Sequence, residues 1–76
     1  MSAIEFHVLF DPNQGRWLME EDGHALAEFS TQQEAAEMSQ TCCLATEETG
    51  ADVHLIIHAM DGAVASDMIY GYGARR

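Results

Sequence analysis

The sequence of 76 residues contains no lysine, and three arginines stand against 13 acidic residues. The net charge of −10 disfavours direct binding to nucleic acid or to an anionic membrane, because such binding requires lysine and arginine to neutralise negative charge. No apolar run approaches the ~20 residues that span a bilayer. A basic protein partner suits this charge better, although acidity that serves only solubility is an equal alternative.

Cysteine is also scarce, and the two cysteines, Cys42 and Cys43, are adjacent. Neighbouring cysteines close no useful loop, and a disulfide between them is strained. Their number therefore predicts a reducing compartment, the cytoplasm. Redox catalysis is disfavoured, because an activated pair usually has two residues between its cysteines at a helix start. We interpret both cysteines as small apolar residues of the core.

The composition is that of a folded domain rather than a disordered acidic segment. Apolar residues make up 47% of the chain and charged residues 21%. The length permits a single domain over residues 1–76, with a flexible C-terminal tail predicted over residues 71–76. Because a chain this short builds a thin core, association with another subunit is a common remedy.

Alternation of apolar and polar residues predicts strands on both sides of one helix. In residues 4–10, Phe6 and Val8 face one way and His7 the other. Further strands are predicted over residues 16–21, 24–29, 52–60 and 63–70. The dipeptides Asp22-Gly23 and Asp61-Gly62 predict two-residue hairpin turns.

The helix is predicted from Gln32 to Glu48. Thr31 and Glu34 have the spacing of a capping box, in which the Thr31 hydroxyl accepts from the backbone N–H of Glu34. Gly50 has the position of a C-cap. The predicted apolar stripe consists of Ala35, Met38, Cys42 and Ala45.

These elements predict an α+β fold, in the order β-β-β-α-β-β along the chain. We expect a mostly antiparallel sheet of four or five strands with the helix on one face. One helix cannot cover both faces of such a sheet. The second face is too apolar to be purely solvated, and we therefore predict that it binds a partner or a second copy. The predicted interaction face consists of His7, Leu9, His54, Ile56, His58 and Met60.

Several short motifs occur along this pattern of strands and helix. They are His7-Val8, Arg16-Trp17, Phe29 with Thr31, Glu34-Ala35, Gly50-Ala51, Ile57-His58, Asp61-Gly62 and Tyr70-Gly71. In these motifs the chain resembles a small bacterial family of domains of unknown function, over about residues 7–71. The resemblance implies the fold alone and supplies no catalytic residues. Members of that family carry basic residues where this chain has Glu20, Glu21, Asp22 and Glu37.

The histidines are the natural candidates for metal binding. His54 and His58 share a strand face, but four residues of strand separate them by about 13 Å. Zinc requires ligand nitrogens about 2 Å from the metal, so these two cannot share one ion without a bend. A site could instead form across strands from His7, His54 and a carboxylate. From the sequence we assign no catalytic residue, cofactor or metal ligand.

The leading hypothesis is therefore a non-catalytic protein-interaction module that binds a protein partner or forms a homodimer. An alternative is an acidic inhibitor that imitates nucleic acid to block a DNA- or RNA-binding protein. A third hypothesis is a small metal-binding protein that uses the strand histidines. The predicted acidic surface consists of Glu20, Glu21, Asp22, Glu34 and Glu37.

Overall fold

The computed structural model describes residues 3–71 of the chain. Its elements are β1 (Ile4–Asp11), β2 (Arg16–Glu21), β3 (His24–Phe29), α1 (Gln32–Glu47), β4 (Val53–His58) and β5 (Val64–Tyr70). The five strands form one sheet in the order β3-β2-β1-β4-β5. Strands β3 and β5 are therefore its two edges.

The fold class is α+β, with one helix and a five-stranded sheet, as the sequence predicts. The sheet is mixed rather than wholly antiparallel, because β1 and β4 lie parallel at its centre. The other three neighbouring pairs are antiparallel. The order across the sheet differs from the order along the chain because α1 carries the chain from β3 over one face and sets β4 beside β1. A crossover of this length is what a parallel connection requires.

The core lies between α1 and the face of the sheet that carries Phe6, Val8, Leu55 and Ile57. Phe6, Val8 and Leu55 are at most 1% exposed, and Ile57 is 9% exposed. Strand alternation brings these side chains to one face, and the parallel register sets Phe6 beside Leu55 and Val8 beside Ile57. Burial of this row against the helix stabilises the fold.

The buried stripe of α1 differs from the prediction. The helix buries Ala35, Ser39 and Cys43, whereas Met38 is 46% exposed and Ala45 is also exposed. The physical reason is the close approach of the helix to the sheet. Residues spaced four apart lie in one row, and a row of small side chains lets the helix backbone come near the strands. A methionine in that row would hold the helix away.

Both ends of α1 have hydrogen-bonded caps. The Glu34 backbone N–H donates to Thr31 Oγ1 at 3.1 Å, which confirms the predicted N-cap. The helix ends at Glu47, one residue earlier than predicted. Its C-cap is Glu48 rather than the predicted Gly50, and the Glu48 N–H donates to the Leu44 carbonyl at 3.1 Å.

One of the two predicted hairpin turns is confirmed and the other is wrong. Asp22 and Gly23 both have positive φ, 49° and 87°, as a two-residue type I′ turn requires. The turn at Asp61-Gly62 instead has three residues. The Ala59 N–H donates to the Ala63 carbonyl, and the Gly62 N–H donates to the Ala59 carbonyl. Strand β4 therefore ends at His58 rather than at residue 60.

Gly71 begins the segment predicted as a flexible tail, yet it is buried. Its N–H donates to Glu47 Oε2 at 3.1 Å, which ties the end of β5 to the end of the helix. Its φ is 88°, and an added Cβ would lie 2.7 Å from Asp52 Oδ1. Only glycine fits this position without strain. The rest of the predicted tail, residues 72–76, lies outside the described residues.

Candidate functional site

The face of the sheet opposite α1, called here the open face, carries most of the predicted interaction residues. Strand register places His7 beside Ile56 and Glu20, and Leu9 beside Leu18. Side chains directly opposite one another share a face. The members of the predicted set that lie on the open face are His7, Leu9, His54, Ile56 and His58, all of them half-buried.

Met60 does not belong to the open face, although the sequence placed it there. It is 65% exposed and lies in the loop that joins β4 to β5. The prediction extended β4 through residue 60, because alternation alone does not show where a strand gives way to a turn. Strand β4 ends at His58, and Met60 is the first residue of the three-residue turn between Ala59 and Ala63.

Two histidines meet across the parallel pair β1 and β4. His7 Nδ1 lies 2.9 Å from His58 Nε2. The other ring nitrogen of His7, Nε2, lies 3.1 Å from Glu5 Oε1, and His58 Nδ1 lies 3.1 Å from the Gly62 carbonyl oxygen. Glu5, His7, His58 and Gly62 thus form one continuous chain of polar contacts, called here the histidine chain.

The rings of His7 and His58 meet end to end rather than face to face. Their centroids are 5.1 Å apart and their planes differ by 18°. The facing nitrogens are only 2.9 Å apart, so both nitrogens lie close to the line between the ring centres. A hydrogen between them would lie near the plane of both rings, which is the geometry of an N–H···N hydrogen bond.

The contacts of the histidine chain determine where its hydrogens lie. Because the Gly62 carbonyl only accepts, His58 Nδ1 carries a hydrogen and His58 Nε2 is left to accept. His7 Nδ1 then donates to His58, and His7 Nε2 donates to Glu5 only when that ring is doubly protonated. All three contacts can be hydrogen bonds at the same time only if the histidine chain carries one more proton than two neutral imidazole rings and an ionised Glu5 carboxylate would carry. A further proton on His58 Nε2 would break the bond between the rings.

The predicted cross-strand combination of His7, His54 and a carboxylate does not form. His54 Nε2 instead contacts Asp67 Oδ2 of β5 at 2.9 Å, while His7 faces His58. The parallel register places His7 opposite Ile56, with His54 and His58 as its two diagonal neighbours. His7 can therefore reach His58 while His54 contacts Asp67. Within residues 3–71, no group of three histidine, cysteine, aspartate or glutamate side chains is arranged to hold a metal ion.

The predicted acidic residues are spread over both layers of the molecule. Glu20 lies beside His7 on the open face, whereas strand alternation turns Glu21 to the helix side. Asp22 lies in the first hairpin, where its Oδ1 accepts from the Glu5 N–H at 3.0 Å. The helical pair, Glu34 and Glu37, lines a groove of about 330 Å³ together with Phe29, Met38 and Thr41.

Strand β5 is exposed along nearly its whole length and on both faces. Val64, Met68 and Ile69 are 61%, 40% and 54% exposed. Register places Met68 beside Leu55 on the helix side and Ile69 beside His54 on the open face. The helix crosses the sheet over β1, β2 and β4 and leaves β5 largely uncovered. Sequence reasoning missed this edge, although apolar residues on both faces of the last strand were its signal.

Cys43 is a residue of the core. It is fully buried, and desolvation, together with nearby Cys42 and Glu21, raises the pKa of its thiol from 9.0 to about 12. Burial likewise raises the pKa of Tyr70 above its usual value. Both groups therefore stay neutral around pH 7, and the interpretation of Cys43 as a small apolar residue fits its position.

Neither a family model, nor a curated protein, nor a solved structure matches this chain. The resemblance to a small bacterial family therefore stays a prediction. Within residues 3–71, no helix is long and apolar enough to cross a membrane.

Proposed function

We propose that this protein is a small, acidic, non-catalytic protein-interaction module of the cytoplasm, and that it binds a protein partner at the β5 edge of its sheet. The observation that carries the proposal is the exposure of β5 on both faces. Folded proteins normally protect an edge strand, because its unpaired backbone groups are a template for another strand. An edge left open over seven residues is suited to a partner that covers it.

The open face continues from this edge and supports the same function. Asp67 and Ile69 of β5 lie beside Ile56 and His54 of β4 on that face. Leu9 and Leu18 extend the apolar surface toward the middle of the sheet. A partner at β5 therefore gains backbone hydrogen bonds at the edge and apolar contacts on the adjoining face, which together provide affinity and specificity.

The other two hypotheses receive less support from the arrangement of residues. Imitation of nucleic acid needs carboxylates along one surface, yet Glu20 and Glu21 face opposite sides of the sheet. The acidic pair Glu34 and Glu37 lies on the helix, away from Glu20. A metal site would have to break up the histidine chain, because its facing nitrogens are only 2.9 Å apart.

The test is affinity capture from a host extract with matched surface variants. Met68→Lys places a charge on the β5 edge, whereas Leu26→Lys places the same charge on the exposed β3 edge. We expect proteins retained by the wild type to be retained by Leu26→Lys and lost with Met68→Lys. Equal retention by both variants, or no specific retention by the wild type, would contradict the proposed function.

A further inference from the structure

We propose that the β5 edge binds an extended, basic peptide segment, which adds to the sheet as a sixth strand. The inference rests on the proposed function and names the class of partner that the site takes. Strand regularity, the distribution of charge and the alternation of side chains at this edge each point to such a segment.

The first support is the regularity of the β5 backbone. Residues 66–70 pair with β4 without interruption, from Ser66 opposite Ile57 to Tyr70 opposite Val53. The bulge in this pair lies before that run, near Val64. A run of this length offers about 17 Å of regular strand. An added strand therefore meets a continuous ladder of backbone groups rather than a distorted edge.

The second support is the charge around β5. Asp67 lies within the strand, Asp61 precedes it in the hairpin loop, and Glu47 contacts the N–H of Gly71 at its end. Arg16 is the one lysine or arginine within residues 3–71, and it lies on β2 with its Nε 3.8 Å from Glu28 Oε1 of β3. The described lysine, arginine, aspartate and glutamate side chains at the β5 edge are therefore all acidic, whereas the opposite edge combines Arg16 with the acids of β2, the first hairpin and β3. A basic segment is attracted to such an edge.

The same charges disfavour a second copy as the occupant. Two copies with a net charge of −10 each repel one another, and edge-to-edge pairing brings the acids at both β5 strands together. An antiparallel pair of β5 strands centred on Asp67 would set two like charges directly opposite, which destabilises a sheet. A basic segment meets no such repulsion.

The alternation of β5 predicts the pattern of the partner. Asp67 and Ile69 lie on the open face, and Met68 lies on the helix side. A strand added at this edge places its side chains beside them in the same alternation. The partner residue beside Asp67 is therefore basic, and the residue beside Met68 is apolar. A segment in which lysine alternates with valine has this pattern.

The test uses three capped peptides of about seven residues, the length of an ordinary strand. The first alternates lysine with valine, the second has glutamate in place of lysine, and the third is the lysine peptide with alternate backbone nitrogens methylated. Binding to the full chain is measured by calorimetry and by amide NMR shifts. We expect the lysine peptide to shift the amides of residues 66–70 and to weaken as salt rises. The other two peptides are expected to bind at least about tenfold more weakly, from charge repulsion and lost strand hydrogen bonds.

Two matched variants locate the charge that the peptide recognises. Asp67→Asn and Glu34→Gln each remove one negative charge from an exposed side chain, one on β5 and one on α1. We expect Asp67→Asn to weaken binding of the lysine peptide about threefold or more, and Glu34→Gln to change it far less. Unchanged amide spectra away from each substitution confirm that both variants are folded.

Several outcomes would overturn the inference. They are equal binding of the lysine and glutamate peptides, shifts at the helical groove instead of β5, and self-association that the Met68→Lys variant abolishes. These outcomes are distinct from failure of the proposed function. If the peptides do not bind but capture from extract still depends on β5, the basic strand is rejected and the proposed function stands. If capture is the same with and without an intact β5 edge, both proposals are rejected.

Discussion

The two edges of the sheet differ in the length of their regular strand and in the exposure of their apolar residues. Edge strand β3 is interrupted by a bulge opposite Met19 and Glu20, and its Glu28 is 3.8 Å from Arg16 on β2. Phe29 and Ala27 of β3 also pack partly against the core. Edge strand β5 has a longer regular run, and it carries exposed apolar residues on both faces.

The helix covers the middle of the sheet and does not distinguish the two edges. Helix α1 runs from the end of β3 to the start of β4 and packs mainly on β1, β4 and β2, with little contact to either edge strand. A bulge and a charge close to the edge are known ways to keep an edge from pairing. Both edges have these features, since β5 has a bulge near Val64 and an acid, Asp67, beside His54. The uninterrupted run of residues 66–70, with Met68 and Ile69 exposed, distinguishes β5 and suits a module that pairs at this strand.

The largest effect is expected from truncating the core beneath each edge. Leu55→Ala truncates a fully buried side chain next to β5, and Met19→Ala truncates a side chain next to β3 that is 4% exposed. Each should lower the free energy of unfolding by about 2–5 kcal/mol, measured by chemical denaturation. Hydrogen exchange should quicken chiefly in β5 for the first variant and in β3 for the second. The same exchange pattern in both variants would show that the edges do not open independently.

A smaller effect is expected at the end of β5. In Gly71→Ala, a residue with a φ of 88° gains a Cβ that would lie 2.7 Å from Asp52 Oδ1. In Gly62→Ala, the φ of 93° is similar, but the added Cβ has no atom within 4 Å. The backbone strain alone costs about 1–2 kcal/mol in either variant. We expect Gly71→Ala to lower the unfolding free energy further and to speed amide exchange in β5 but not in β3. Equal losses would mean that the contact with Asp52 relaxes without cost.

The N-cap of α1 tests the side of the molecule near the β3 edge. Thr31→Ala removes the acceptor for the Glu34 N–H, and it lies just after β3. Thr31→Ala should lower the free energy of unfolding by about 1 kcal/mol and loosen the start of the helix beside Phe29, without affecting β5. Thr41→Ala is the control, because the Thr41 hydroxyl bonds only within the helix, to the Glu37 carbonyl. A comparable loss from Thr41→Ala in thermal unfolding would argue against a specific role for the cap.

The smallest effect on stability is expected from the exposed edge residues themselves. Met68→Lys and Leu26→Lys replace side chains that are 40% and 51% exposed, so each should change stability by no more than about 0.5 kcal/mol. Light scattering during heating should nevertheless separate them. Aggregation should fall more with Met68→Lys, because a lysine on the open edge blocks strand pairing. If aggregation fell more with Leu26→Lys, β3 rather than β5 would be the edge that pairs more readily.

Sequence reasoning predicted the features that depend on neighbouring residues. The N-cap at Thr31, the turn at Asp22-Gly23 and the buried face of Phe6 and Val8 all follow from local spacing. It failed where a distant element decided the outcome. Whether Met38 or Ser39 lies against the sheet depends on how closely the helix approaches, and that distance is set by the strands beneath it.

The candidate site shows the same division. The sequence placed His7, His54 and His58 on one face, because period-two alternation follows from strand geometry alone. It could not show that His7 would meet His58 rather than His54, since that contact depends on the parallel register of β1 and β4.

The sequence by itself determined the acidity of the molecule, its one helix, its strands and which residues alternate along them. Local backbone preferences and side-chain periodicity suffice for these features. Only the tertiary structure decided that β5 is an edge, because strand order depends on where α1 returns the chain. The helix is too narrow to cover five strands, and its path from β3 to β4 leaves β5 exposed.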